Sequence, residues 1–137
     1  MRPRVVLDTN VFVVSLSERS PYYWIFEALI ADRFEAVVST PIVLEYEEVI
    51  GRLMGQAAVR DALGVLHNSM SVIHTAPTFH WHLIAADPDD DKFVDAALAG
   101  RADGIVTYDR HFDALSSVDF PRVPVLTPDD LSHLLPA

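Results

Sequence analysis

Short apolar segments alternate with helix-like segments along this chain, and this alternation limits the possible folds more than any other feature. A strand that is apolar on both faces has to be covered on both faces, as in a parallel sheet between helices. The sequence therefore predicts an α/β fold with a parallel sheet. Its length suits a single domain over residues 1–137.

The predicted elements follow one another with short connections. Strands are predicted at residues 4–8, 35–39, 70–75, 104–108 and 123–126. Helices are predicted at about 21–32, from the Ser39-Thr40-Pro41 start to about 53, and at 56–67, 88–100 and 127–135, with a short helix or turn at 109–115. A hydroxyl residue followed by Pro is typical of a helix start. Functional sites in such sheets form at the carboxyl ends of the strands.

Two acids stand where predicted strands end. Asp8 closes the strand VVLD, and Asp109 follows the strand IVTY. Both are expected at the carboxyl edge of the sheet. Either one alone is also a common turn or capping residue, so the pair needs further support.

Glu45 falls on the apolar side of its predicted helix. The stripe that it joins consists of Ile42, Tyr46, Val49, Ile50 and Leu53, whereas Glu47 and Glu48 lie off it. An inward Glu needs a partner, because burying an unpaired charge is costly. A functional role fits this position; the alternative is a Glu that reaches the edge of the core or pairs with a buried Arg.

The run DPDDD opens another predicted helix. Asp87 before Pro88 is interpreted as a cap, and Asp89 as a solvated acid. Asp91 and Asp95 are four residues apart and share one side of the helix. Spacing alone leaves open whether Asp90 or Asp91 points into a site.

Four carboxylates can thus converge: Asp8, Glu45, one acid of the 87–95 run, and Asp109. Such a cluster either raises carboxylate pKa values or binds a cation. Oxygen ligands without His or Cys favour Mg²⁺ or Mn²⁺ over zinc. One or two such ions can orient and polarise a phosphodiester and activate a water molecule.

The composition limits the partners and the compartment. The net charge of −10 is unfavourable for general nucleic-acid binding, which depends on phosphate neutralisation. Cations, a local basic patch or a basic companion protein would offset it. The chain has no Cys, and no apolar stretch approaches the ~18 residues that span a bilayer. No signal peptide is recognisable, so a cytoplasmic protein without membrane contact is expected.

Four blocks of sequence, in order and spanning nearly the whole chain, carry a family resemblance. They are VVLDTNVFV (5–13), STPIVLEYEEVI (39–50), DPDDDKFVDAALAGRADGIVTYDRHF (87–112) and VPVLTPDDL (123–131). In these blocks the chain resembles the PIN-domain ribonucleases, and among them the small prokaryotic VapC-like toxins of toxin–antitoxin systems.

The resemblance implies a three-layer α/β/α sandwich and an endoribonuclease that depends on Mg²⁺ or Mn²⁺. Its catalytic and metal-binding acids fall on Asp8, Glu45, Asp91 and Asp109, which gives Asp91 preference over Asp90. Supporting positions fall on Asn10, Asp95, Thr107 and Asp113. The implied partners are an RNA substrate and a cognate antitoxin.

Three aromatic and histidine features have their own interpretations. Tyr108 replaces the Gly that the family usually has before its fourth acid, and can crowd the pocket or stack on a base. The aromatic cluster of Tyr22, Tyr23, Trp24 and Phe26 is interpreted as core or as a homodimer surface rather than as a base-stacking platform. His80 and His82 indicate a surface or interface segment, because such a pair supplies too few zinc ligands.

Other functions also fit an acidic α/β site. One is a PIN-like module that binds RNA or protein without cutting. Another is a receiver domain, but Lys92, the chain's single Lys, lies in the acidic helix start rather than late in the chain. A phosphatase with an Asp nucleophile needs a second acid near the LDTN motif, which is missing.

Overall fold

A five-stranded parallel sheet forms the centre of the protein, in the strand order β3-β2-β1-β4-β5. The computed structural model describes residues 2–84 and 88–136. The strands are β1 (Arg4–Leu7), β2 (Glu35–Val38), β3 (Val72–His74), β4 (Gly104–Val106) and β5 (Val125–Leu126). The predicted fold class, an α/β sandwich with a central parallel sheet, is confirmed.

Helices connect the strands. They are α1 (Thr9–Ser15), α2 (Tyr23–Ile30), α3 (Thr40–Met54), α4 (Gln56–Asn68), α5 (Asp91–Ala99) and α6 (Pro128–Leu134), with 3₁₀ turns at Pro88–Asp90 and Arg110–Ser117. Every helix predicted from the sequence is present. Helix α1 was not predicted, and it starts directly after Asp8.

The strand order reverses direction between β1 and β4. The chain builds outward from β1 to β3, and then returns to place β4 and β5 on the other side of β1. Because such crossovers are right-handed, the reversal puts α5 on the opposite face from α1 to α4. Ligands of open α/β sheets bind in the crevice at this kind of reversal.

Large aromatic side chains fix the ends of the strands. Tyr46 on α3 is buried against Phe12 of α1, with ring centroids 4.5 Å apart, and its hydroxyl donates a hydrogen bond to the Leu7 carbonyl. Phe93 on α5 contacts Phe112 edge to face at 6.1 Å. These contacts set the positions of the residues that follow β1 and β4.

Two local predictions differ from the structure. Ser39 stands at the start of α3 without a side-chain capping hydrogen bond, whereas Thr127 forms a complete capping box with Asp130 at α6. Leu53, predicted to face inward, is 64% exposed. It lies in the last turn of α3, beside the turn at Gly55 (φ 88°) that leads into α4.

None of the helices in the described part of the chain is long and apolar enough to cross a membrane.

Candidate active site

Asp8 and Asp109 follow the two strands that border the reversal. Leu7 of β1 is paired with Val106 of β4, and the Asp8 N–H donates to the Val106 carbonyl at 3.0 Å. Asp8 is buried, with 5% of its surface exposed, and Asp109 is half-buried. The register of β1 and β4 therefore brings these two acids to the same edge of the sheet.

Thr107 links the two acids through its hydroxyl group. The hydroxyl donates to Asp8 Oδ2 at 2.8 Å and accepts the Asp109 backbone N–H at 2.9 Å. A hydroxyl group can donate and accept at once, so Thr107 orients the Asp8 carboxylate and the backbone that carries Asp109.

Glu45 reaches the same region from α3. Its carboxylate accepts a hydrogen bond from the Thr9 hydroxyl and forms an ion pair with Lys92 of α5, in which Nζ lies 2.6 Å from Oε1. Glu45 is thus half-buried with a cationic partner, and Glu47 and Glu48 are exposed as expected. Sequence reasoning missed Thr9 and Lys92, although a single Lys beside the predicted acid Asp91 was an available signal.

The three acids share one electrostatic environment. Burial raises the pKa of Asp8 above its ordinary value of 3.8, and the charges of Asp109 and Glu45 raise it further, against hydrogen bonds from Thr107 and Thr9 that lower it. Burial also raises the pKa of the Tyr46 hydroxyl, to which the charges of Asp8 and Glu45 contribute. The region around Asp8 is therefore one where a cation is favoured.

Asp91 and Asp95, on one side of α5, are both buried and hold the segment 80–84. Asp91 Oδ1 accepts the Ile84 N–H at 2.9 Å, and Asp95 Oδ1 accepts the Trp81 N–H at 3.0 Å. The second oxygens face histidines: Asp95 Oδ2 is 3.0 Å from His80 Nδ1, and Asp91 Oδ2 is 3.7 Å from His82 Nδ1. Lys92, next to Asp91, joins this half of the site to Glu45.

The remaining predicted positions lie at the periphery. Asn10 is exposed in the first turn of α1, and Asp113 is exposed in the 3₁₀ turn after Asp109. Asp89 is exposed, and Asp90 occupies the N-cap position of α5 without a capping hydrogen bond from its side chain. The predicted cap Asp87 lies outside the described residues.

Two cavities open along this edge of the sheet. One, of about 780 Å³, lies beyond β4 and β5 and is lined by Tyr108, Asp109, Asp113 and Arg122 among others. The other, of about 580 Å³, lies beyond β2 and β3, and its lining includes Asp91, Lys92 and Asp95. Asp109 thus borders one cavity and Asp91 the other, and Asp8 and Glu45 are in neither lining.

The donor chemistry around Asp8 fits a hard divalent cation, because the facing groups are carboxylate and hydroxyl oxygens. Within residues 2–84 and 88–136, no group of three or more acids or histidines is spaced to hold one ion by itself. Mg²⁺ retains several waters, so one or two carboxylates are enough. The Lys92 ammonium already supplies a positive charge at Glu45.

A family model described as PIN domain matches residues 4–111, which include Asp8, Glu45, Asp91 and Asp109. The chain belongs to the PIN-domain family. Comparison with curated proteins gives no match. The family assignment agrees with the resemblance seen in the sequence blocks.

Solved structures share the PIN fold of this chain. VapBC2 from Rickettsia felis, bound to a DNA fragment from its promoter, has a TM-score of 0.63 at 15% identity, over 90% of this chain and 98% of that one. VapC20 from Mycobacterium tuberculosis, a toxin that cleaves the sarcin-ricin loop, has a TM-score of 0.60 at 14% identity, over 84% of this chain and 97% of that one. FitAcB from Neisseria gonorrhoeae has a TM-score of 0.53 at 17% identity, over 90% of this chain and 97% of that one.

Proposed function

We propose that this PIN domain is a metal-dependent endoribonuclease that hydrolyses RNA phosphodiester bonds. The observation that carries the proposal is the buried Asp8 at the strand reversal, whose pKa is raised by burial and by the charges of Asp109 and Glu45. Four acids at this edge match the family's motif positions, including Asp91 on α5. A fold alone does not specify an activity, so the proposed function depends on these side chains.

Mg²⁺ or Mn²⁺ would be held by Asp8 and Asp109, with Glu45 and Asp91 completing the acidic set. A bound divalent cation polarises a phosphodiester. It also lowers the pKa of a bound water molecule, so that a nucleophile is available at neutral pH. Around it, Thr107 keeps the Asp8 carboxylate and the Asp109 backbone in fixed positions. The Lys92 ammonium forms an ion pair with Glu45 and is placed to offset negative charge on an incoming phosphate.

The proposed biological role is that of the toxin component of a toxin–antitoxin system in the cytoplasm. The similar folds of VapBC2, VapC20 and FitAcB support this role. The net charge of −10 is suited to a basic segment of a cognate antitoxin, because opposite charges steer association. A homodimer is part of the same proposal.

A non-catalytic module that binds RNA or protein is the second candidate. It is favoured by the engagement of Glu45 with Lys92 and of Asp91 with the Ile84 N–H, since neither carboxylate is held ready for an ion. In this alternative the acids would only stabilise the edge of the sheet, and added metal would produce no cleavage.

An RNA cleavage assay with and without Mg²⁺ or Mn²⁺ distinguishes the two. We expect metal-dependent cleavage by the wild type and a loss of about 100-fold or more in Asp8→Asn, Glu45→Gln, Asp91→Asn and Asp109→Asn, because each removes part of the charge stabilisation. Glu48→Gln, which removes an exposed acid from the same helix as Glu45, is the matched control. Full metal-dependent activity in Asp8→Asn would contradict the proposed site.

A further inference from the structure

Tyr108 presents a fixed aromatic surface beside the acids. The residue is 50% exposed, and its ring stacks on Tyr22 with centroids 6.4 Å apart and planes 25° from parallel. Tyr22 in turn packs against the hydrophobic core. Tyr22 therefore supports one side of the Tyr108 ring. A ring that is already held in place loses less conformational entropy when a ligand binds to its exposed side.

The position of Tyr108 places this ring next to the proposed reaction centre. It directly precedes Asp109, and both residues line the 780 Å³ cavity beyond β4 and β5. A nucleotide beside the acids would meet this ring.

The charge of the cavity argues for stacking as the main source of affinity. Its lining includes Asp109, Asp113 and Asp119 but, among the residues the structure describes there, a single Arg, Arg122. The whole chain carries a net charge of −10. Phosphate neutralisation is therefore weak here, whereas stacking of a base on an aromatic ring does not require a positive protein.

We propose that Tyr108, supported by Tyr22, stacks on an unpaired nucleobase of the RNA and so positions that nucleotide beside Asp109. A paired base inside a helix is already covered by its neighbours and cannot offer a free face. The inference rests on the proposed ribonuclease function and adds a residue that positions the substrate.

Binding of a single-stranded RNA oligonucleotide that contains 2-aminopurine tests the proposal in EDTA, where metal-dependent cleavage is absent. We expect Tyr108→Leu to weaken binding by about 5- to 150-fold, equivalent to ~1–3 kcal/mol, and to reduce fluorescence quenching of the base. Tyr108→Phe and Tyr108→Trp should retain the wild-type affinity and the fluorescence quenching, because each keeps an aromatic ring. The loss should have the same size at low and high salt, because stacking involves no counterion release.

Two controls make the result specific. Tyr23→Leu, the same change at a neighbouring Tyr that packs against Phe26, should bind within about twofold of the wild type, since only the Tyr108 ring is proposed to meet the base. Duplex RNA of the same sequence should bind more weakly and be insensitive to Tyr108→Leu.

Equal binding by Tyr108→Leu and the wild type, or failure of the wild type to bind the oligonucleotide, would overturn the stacking proposal. The ribonuclease proposal has a separate readout, which is cleavage by the wild type when Mg²⁺ or Mn²⁺ is present. Cleavage without a Tyr108 effect on binding rejects stacking alone, and Tyr108-dependent binding without cleavage rejects the nuclease alone.

Discussion

At the scale of single residues, Asp8 is subject to opposing contacts. Hydrogen bonds from Thr107 and Thr9 favour its charged form, while burial and the charges of Asp109 and Glu45 disfavour it more strongly. The net result is a raised pKa in the metal-free protein. Asp8 therefore carries a cost in stability that a bound cation would remove.

Asp8→Asn should stabilise the metal-free protein at neutral pH. Because the folded pKa lies above the ordinary 3.8, the folded state holds the proton more tightly, and the associated stability is lost as pH rises through the folded pKa. The Asn variant has no such loss. In EDTA at pH 7–8 we expect its Tm to exceed that of the wild type by about 2–6 °C, as for a gain of ~1 kcal/mol.

Thermal unfolding between pH 4 and pH 8 is the measurement, and Asp61→Asn, at an exposed acid on α4, is the control. The control should follow the wild-type pH dependence. A Tm below that of the wild type for Asp8→Asn at pH 8 would show that hydrogen bonding at Asp8 outweighs repulsion.

Lys92→Met should destabilise the metal-free protein by about 1–2 kcal/mol, because Glu45 loses the ammonium group while it remains half-buried. Mn²⁺ should then recover more stability in Lys92→Met than in the wild type, since it replaces the missing positive charge. Chemical unfolding with and without Mn²⁺ measures both effects. Lys92→Arg keeps the charge and serves as the control; equal Mn²⁺ responses in all three proteins would contradict the expectation.

At the scale of elements, α5 has a structural task besides its proposed catalytic one. Asp91 and Asp95 accept backbone N–H groups of Ile84 and Trp81, and Ile84 itself is buried in the core. The segment 80–84 is thus attached to α5 by two buried carboxylates. An ion bound by Asp91 would share its carboxylate with the Ile84 N–H, which occupies Oδ1.

Asp95→Ala should loosen this segment, because the Trp81 N–H loses its acceptor and His80 loses its partner. An unsatisfied amide costs ~1–3 kcal/mol, so we expect hydrogen exchange in residues 79–84 to accelerate by about 5- to 150-fold. Mass-spectrometric exchange measures it peptide by peptide. Glu48→Ala, at an exposed acid on α3, should leave the segment unchanged; unchanged exchange in Asp95→Ala would mean that other contacts hold it.

The elements also show why sequence reasoning reached some features and missed others. Apolar periodicity predicted every strand and five helices. It missed α1, whose residues TNVFVVS are rich in β-branched side chains that favour strands. Packing of Val11 and Phe12 into the core outweighs that local preference.

Within the candidate site, the predicted strand ends and the apolar face of the predicted helix were enough to expect Asp8, Glu45 and Asp109 at one edge of the sheet. The structure has them there. The residues that pair with these acids could not be predicted from the sequence. Contacts such as Lys92–Glu45 and Thr9–Glu45 depend on side-chain rotamers and on how helices from distant parts of the chain pack. The contacts of Asp91 with His82 and Ile84 were equally out of reach of the sequence pattern, because they also depend on tertiary packing.

At the scale of the whole molecule, the charge of −10 provides a way to separate general from specific cation effects. Any salt screens the self-repulsion of an acidic protein, but only a site favours divalent ions at equal ionic strength.

MgCl₂ or MnCl₂ should therefore stabilise the wild type more than NaCl at matched ionic strength, by about 2.7 kcal/mol at a metal concentration ~100-fold above Kd. The excess should shrink in Asp8→Asn, which loses a proposed ligand, and persist in Asp61→Asn. Differential scanning calorimetry measures it. Identical curves in sodium and magnesium salts would argue against a divalent site.

The place of β1 between β2 and β4 has a consequence for synthesis on the ribosome. Asp8 emerges early, but the strand that brings Asp109 beside it is one of the last to be translated. A nascent chain that ends before β4 contains Asp8, Glu45 and Asp91 but lacks Asp109. The four acids can therefore come together only after translation has passed residue 109, although three of them have been synthesised well before that point.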